Sequence, residues 1–242
     1  MKRLLVLVDF SAPSINAVAY AAGLARDKGF GEILLMSNCF VPLFEQIVPS
    51  PDLVQVGEEE IRSRLDSLMQ QLIELKSEID KQLPPTTSTR IAISTKPLLR
   101  SVIEEVTVES PSLVLIGTSR HAQGDDCSIG RQIIPLAKII PVPVIVVPPE
   151  SRYTPVNSVL VAGTTDADAG AALQPLLGPL QYIQYTPAPN DILANVLQAA
   201  ADRQVQMIVA LPRKHSFFYH LTHQNITQGI VLNAAEPVLI LK

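Results

Sequence analysis

The chain has 242 residues, of which 47% are apolar and 17% charged, with no tryptophan and a net charge of −4 at pH 7. That is enough apolar chain to bury a substantial core without metal or disulfide support, and it excludes a disordered or fibrous polymer. The slight acidic excess and the lack of any dense Lys/Arg block exclude a general field that would attract nucleic acid.

Arg3-Leu-Leu-Val-Leu-Val8 is a short continuous apolar run ending at Asp9, the pattern of a strand buried on both faces of a parallel sheet. The positive start Met1-Lys2-Arg3 precedes a run too short for a signal-peptide core, and no later run approaches the roughly 20 apolar residues of a membrane span. A cytoplasmic protein away from membranes is therefore expected, and the two cysteines, Cys39 and Cys127, agree with a reducing compartment because they offer neither a disulfide framework nor a C-x-x-C spacing. Ser11 is a candidate N-cap and Pro13 is tolerated in a first helical turn, so an Ala-rich helix is predicted to about Arg26, ended by Gly29 and Gly31. A second strand follows over 32–37. A Pro-rich connection then leads to a long amphipathic helix over about 57–82, in which Ile61, Leu65, Leu68, Leu72, Leu75 and Ile79 form one apolar stripe. Further along, strands are predicted near 89–94, at 113–117 and at 142–147, separated by helices near 98–109 and 130–140. Strands alternating with helices imply a parallel sheet covered on both faces, with right-handed crossovers.

Pro148-Pro-Glu-Ser-Arg152 breaks both periodicities, and after it the pattern restarts. Asn157-Ser-Val-Leu-Val-Ala-Gly163 resembles the first strand, and Ile140-Pro-Val-Pro-Val-Ile-Val-Val147 resembles Ala234-Ala-Glu-Pro-Val-Leu-Ile-Leu241. The register sets Pro143 opposite Pro237, 94 residues on, and Gly117 opposite Leu211. The expected organisation is an α/β chain of two consecutive doubly wound parallel-sheet, Rossmann-like units: residues 1–148, a linker at 149–155, and a shortened unit at 156–242. The shorter second unit is expected to lack the second strand and the long helix. The apolar last strands of the two units, 142–147 and 237–241, are expected to pair with each other, since either would be hazardous as an exposed edge.

The opening Val8-Asp9-Phe10-Ser11, the Gly117-Thr-Ser-Arg120 segment after the penultimate strand and the closing Pro141-Val-Pro-Val-Ile-Val-Val147 together resemble the universal stress protein family, in a tandem form of the adenine nucleotide alpha hydrolase-like fold. Members that bind ATP carry an Asp closing the first strand and a G-x2-G-x9-G-[S/T] loop around the phosphates and ribose. Asp9, Gly117 and Gly130 match that pattern at the family's spacing, while Arg120 replaces the second glycine and Arg131 the hydroxyl residue. Glycines in such a loop let backbone N–H groups and a helix N-terminus meet phosphate. A side chain at 120 intrudes on that approach, whereas two guanidinium forks attract anions. What the resemblance implies is a candidate site for ATP or another adenine nucleotide formed by Asp9, Gly117, Arg120, Gly130 and Arg131. The competing structural reading has Asp9 capping the next helix and the glycines serving turns. In the second half Leu211-Pro-Arg-Lys214 and Gln224-Asn225 stand where the loop would be, and Thr164 stands at the Asp9 position, so no nucleotide is expected there.

Other clusters read more plainly. His121 extends the charged loop, where the neighbouring Asp125-Asp126 pair offers counter-charges. His215, His220 and His223 are close enough to suggest a metal but read as surface or helix-entry residues, so no metal site is expected. Phe217-Phe218-Tyr219 lies in a polar stretch, as a contact surface or as packing over the sheet end. Cys127 could be activated by Arg120 and Arg131, against an inert packed thiol. No Walker-type, G-x-S-x-G or H-E-x-x-H motif occurs, and no nucleophile–base pair can be named. The resemblance thus implies a stress-associated regulatory or adaptor protein, not an enzyme, with an unidentified protein partner and a homodimer as candidate partners. An adenine-nucleotide switch in the first unit is the alternative, and a slow ATPase comes behind it.

Overall fold

A computed structural model describes residues 1–40, 51–118, 129–162, 167–187, 190–211 and 224–242, with the backbone alone at 51–58, 129–131, 167–169 and 224–225. Nine strands form one sheet: β1 (Arg3–Val8), β2 (Glu32–Asn38), β3 (Ser88–Ser94), β4 (Leu113–Gly117), β5 (Val144–Val147), β6 (Ser158–Ala162), β7 (Gln181–Tyr185), β8 (Met207–Ala210) and β9 (Val238–Ile240). Among the described residues seven helices join them: α1 (Ala12–Lys28), α2 (Pro51–Asp80), α3 (Leu98–Glu109), α4 (Ile129–Ile139), α5 (Ala167–Leu177), α6 (Ile192–Asp202) and α7 (Gln224–Asn233). The strand order is β3-β2-β1-β4-β5-β9-β8-β6-β7. Every pair is parallel except β5–β9, where Val144, Ile145 and Val146 face Ile240, Leu239 and Val238. The expected pairing of the two closing strands is therefore the junction at the centre of the sheet.

Aliphatic side chains alternate between two cores, one on each face, as a doubly covered sheet requires. Leu4, Val6 and Val8 face α1, α2 and α5; Leu5 and Leu7 face the layer of α3, α4, α6 and α7. The α2 stripe docks through its C-terminal half, where Leu72, Leu75 and Ile79 are buried.

The 94-residue register is visible in the backbone. Val114 N–H donates to Pro143 O and Ile208 N–H to Pro237 O; Ile140 N–H donates to Leu136 O and Ala234 N–H to Ile230 O; Ser101 N–H donates to Pro97 O and Asn195 N–H to Asp191 O. Ser110 and Gln204, in the same register, both take a left-handed conformation, with φ 45° and 49°.

One expectation needs correction. The second half does have a strand beside its first: β7 lies next to β6 in the place β2 holds next to β1, and among the described residues it is the outer place, that of β3, which is unfilled, together with the long helix. The Gln-Tyr-Ile-Gln-Tyr sequence of β7 lacks a buried apolar run because its far edge is open, so every residue is exposed or half-buried. The α5 crossover is a short version of α1, both helices ending at a left-handed glycine, Gly29 (φ 67°) and Gly178 (φ 75°).

The segment between β5 and β6 is fastened to α1. Asn16 Nδ2 donates to Pro148 O and Ser151 O, both at 2.9 Å, and Lys28 Nζ donates to Val156 O at 3.1 Å. Tyr153 lies over Gly23, where an added Cβ would come within 2.4 Å of its ring. Its ring meets Tyr20 edge-on at 5.1 Å between centroids, and its hydroxyl donates to Asp27 Oδ2 at 2.6 Å. That hydrogen bond holds the Asp27 carboxyl below its ordinary value, and burial followed by the same hydrogen bond pushes the Tyr153 phenol up. Tyr153→Ala should cost about 2 kcal/mol, less than a fully buried aromatic because the ring is half-exposed. Urea unfolding checks this, and Tyr153→Phe, which keeps the ring and loses only the hydrogen bond to Asp27, should show the smaller loss of the two.

Candidate functional site

An open parallel sheet creates a crevice where neighbouring strands send their crossovers to opposite faces, and ligands collect at the carboxyl ends of the strands there. In this chain that place is between β1 and β4, since β1 leads into α1 on one face while the connection through α3 to β4 lies on the other. Asp9 follows β1 and Gly117 closes β4.

The β1–α1 turn is tightly specified. Phe10 takes a left-handed φ of 59°. The turn brings the Asp9 carboxylate back onto its own chain: Oδ1 accepts from the Ser11 N–H at 3.0 Å and from the Ser11 hydroxyl. Ser11 is the N-cap, as its type and position predict, and its Oγ accepts from the Ser14 N–H at 3.4 Å. The Ser14 hydroxyl donates to Ser11 O at 3.0 Å and accepts from the Asp9 N–H at 3.3 Å. Asp9 is half-exposed, and one carboxylate oxygen is thus committed to building the entry to α1.

Gly117 meets this turn directly. A Cβ there would come within 2.2 Å of Pro13 O and 2.8 Å of Ser14 N, both backbone atoms. The glycine is required because the first turn of α1 lies on the end of β4, so Asp9 and Gly117 form one corner. The following Thr118 is buried and its N–H donates to Val147 O at 3.0 Å, tying the corner to β5.

Gly130 and the backbone of Arg131 stand in the first turn of α4, whose Ile133 and Leu136 pack into the core that contains Val114 and Ile116 of β4. Arg120 lies outside the described residues, as do His121, Asp125, Asp126 and Cys127 and, in the second half, Thr164, His215, His220, His223 and the Phe217-Phe218-Tyr219 cluster. Gln224 and Asn225 begin α7, at the place Gly130 and Arg131 have in α4. Among the described residues no group of three His, Cys, Asp or Glu side chains is arranged to hold a metal ion. No helix among them is long and apolar enough to cross a membrane.

A cavity of about 360 Å³ opens beside this corner, at the carboxyl ends of β2 and β3, and the sequence reading did not anticipate it. Asn38, Cys39 and Phe40 form one wall, Pro97 to Leu99 another, and Gln132 of α4 a third. The floor is held by side-chain hydrogen bonds: Asn38 Nδ2 donates to Lys96 O at 2.7 Å and to Ser101 Oγ at 3.2 Å, and the Ser94 and Ser101 hydroxyls lie 2.7 Å apart. Ser37 Oγ donates to Val8 O at 2.7 Å, joining the ends of β2 and β1. The only sequence signal was a polar Ser-Asn-Cys ending to a buried strand, and it becomes informative only once β2 is placed beside β1.

Comparison with known proteins agrees with this arrangement. A structure of a universal stress protein from Archaeoglobus fulgidus DSM 4304 superposes with a TM-score of 0.67 at 13% identity, covering 99% of this chain and 98% of that one. A structure of a universal stress protein, itself assigned only provisionally, from Pseudomonas aeruginosa UCBPP-PA14 does so with a TM-score of 0.52 at 14% identity, covering 100% and 93%. No curated protein matches the sequence. Residues 1–148 match the universal stress protein family, well over half of the chain, and the fold extends over the remainder. The chain belongs to the universal stress protein family.

Proposed function

We propose that this chain is a cytoplasmic, stress-associated regulatory protein that acts through contacts with other proteins and performs no catalysis. It is organised as a first unit over 1–148, a linker at 149–155 and a shortened second unit over 156–242 that has no nucleotide loop. The observation that carries this reading is the corner itself. Asp9 is engaged by Ser11 and Gly117 is covered by the Pro13–Ser14 backbone, so the residues that match the family's site have structural duties. Association of two copies through the helix faces belongs to the same reading.

The cavity beside the corner favours one second reading, an adenine-nucleotide switch. It opens at strand ends, next to the first turn of α4, and Asn38 and Gln132 give it polar walls. In that reading Asp9, Gly117 and Gly130 shape the site, and Arg120 and Arg131 receive phosphate oxygens through guanidinium forks in place of glycine-exposed amides. Neither reading assigns a residue to position a water for hydrolysis.

Thermal unfolding with millimolar Mg-ATP, Mg-ADP and AMP separates the two, because a ligand bound only to the folded chain stabilises it by mass action, by about 2.7 kcal/mol at a hundredfold excess over Kd. The interaction reading expects no shift. A concentration-dependent shift that disappears in Asp9→Asn, which keeps an oxygen for the Ser11 N–H, establishes the switch instead. Arg120→Gly with Arg131→Ser restores the family loop, and if the arginines obstruct it the shift should then appear or grow.

A further inference from the structure

The segment after β5 does more than connect. Together with the turns that lead into β8 and β9 it borders an open cleft of about 300 Å³ that shares no residue with the Asp9–Gly117 corner or with the Asn38–Gln132 cavity. Ser151, Arg152 and Thr154 line it from the segment, Tyr20 from α1, Gln204 from the turn before β8 and Glu236 from the turn before β9. None of these six side chains makes a hydrogen bond or ion pair with the described residues. Tyr20 is 2% exposed and packed edge-on against Tyr153, and its hydroxyl, without a partner among the described residues, is the part of the side chain that solvent still reaches. By contrast Gln206, at the same cleft, is engaged at both ends: its Oε1 accepts from Asn157 N–H, Ser158 N–H and Ser158 Oγ, and its Nε2 donates to Gln204 O. The backbone of this wall is fixed, then, while the polar groups around the opening are left free.

The free groups include one cation and one anion. Arg152 and Glu236 come from different walls and do not pair with each other, so the cleft presents a guanidinium and a carboxylate separated by more than ion-pair distance, and hydroxyls and an amide share its lining. We infer that this cleft is a binding site for a small zwitterion of the α-amino acid type. Its carboxylate is received by Arg152, its ammonium by Glu236, and a polar side chain reaches Gln204, Thr154 and the Tyr20 hydroxyl. The volume is at the lower end of small-molecule sites, which suits a ligand of that size. Bound there, the ligand bridges the segment docked on α1 to the loops at the amino ends of β8 and β9, and so ties the two halves of the chain together.

Isothermal titration calorimetry on the full chain tests this with L-glutamine as probe. N-acetyl-L-glutamine, which lacks the ammonium, and L-glutamine amide, which lacks the carboxylate, serve as its charge-deleted analogues. Saturable binding of L-glutamine at millimolar concentration is expected, with each analogue weakened roughly tenfold or more, the loss of one charge-assisted contact. Arg152→Gln and Glu236→Gln should each weaken the probe to a similar degree, and Tyr20→Phe, which keeps the ring on Tyr153, should weaken it severalfold. Circular dichroism confirms that each variant is folded. Absence of saturable heat with L-glutamine, equal binding of either analogue, or unchanged binding by the Arg152 and Glu236 variants would each overturn the assignment. An adenine nucleotide bound at the other corner leaves all of these comparisons unaffected.

Discussion

Gly117→Ala is expected to be among the most damaging single substitutions in the chain, lowering stability by about 3 kcal/mol or more. One added carbon would sit 2.2 Å from Pro13 O and 2.5 Å from Pro13 C, and neither is the end of a flexible side chain that can turn away. Relief requires moving the first turn of α1 or the end of β4. The first is held by Ser11, Ser14 and the buried Ala17, Val18 and Ala21; the second by parallel pairing of Ile116 and Gly117 with Val146 and Val147. Overpacking by a methyl in a close-packed interior ordinarily costs 1–3 kcal/mol, and the cost rises when backbone must give. For a chain of this length that is a fall in melting temperature of roughly 10 °C. Gly29→Ala is the control: nothing lies within 4 Å of its Cβ position, so only the left-handed φ of 67° opposes it, at about 1 kcal/mol. Equal effects of the two substitutions in thermal unfolding would mean that the α1–β4 approach is looser than described.

The second large effect is expected at Glu32. This carboxylate opens β2 with its side chain 8% exposed, and two guanidinium groups meet it: Arg3 Nε at 2.8 Å from the facing position on β1, and Arg90 at 3.1 Å from β3. Glu109, at the end of α3, takes the other side of the same two arginines, at 2.7 Å from Arg3 and 3.0 Å from Arg90. The four groups lace β1, β2, β3 and α3 together at the amino end of the sheet. Removing one partner of a buried pair leaves the others uncompensated, at 3–5 kcal/mol when burial is complete. Arg3 is 27% exposed and Arg90 52%, so water takes up part of the loss, and Glu32→Ala should cost about 2–3 kcal/mol in urea unfolding. Acid has a related effect through Glu109, whose carboxyl is held below the ordinary glutamate value of 4.5 chiefly by its hydrogen bond from Arg90. A depressed carboxyl pKa contributes stability that is fully present above the unfolded value and is lost as the pH falls through the folded one. Stability should therefore decline below about pH 4.5, and Glu109→Gln should flatten that decline.

How much of this was readable beforehand depended on whether the signal was local. Arg3–Val8 and Leu113–Gly117 are strands buried on both faces, so composition alone marks them, and Leu98–Glu109 begins after a proline that fixes its start. The α2 stripe follows from spacing, and the 94-residue register recurs in three pairs of backbone hydrogen bonds, in one of which Pro143 and Pro237 accept from Val114 and Ile208. Features that depend on what lies opposite were not readable. Gln181–Tyr185 is a strand only because β6 pairs with it, and its polar residues are those an open edge tolerates. Residues 149–155 read as a linker, and spacing gave no sign that Asn16 and Asp27 of α1 hold Ser151 and Tyr153 of that segment. Gly117 matched a family motif, while the reason this glycine is needed, the backbone of Pro13, lies more than a hundred residues away in sequence.

Release of inorganic phosphate from Mg-ATP by the purified chain is the most direct check on a binding and regulatory role without catalysis. With Asp9 engaged by Ser11, we expect release no faster than from the Asp9→Asn variant assayed alongside it. Release proportional to protein concentration and lost in Asp9→Asn would contradict that role and make this corner an active site.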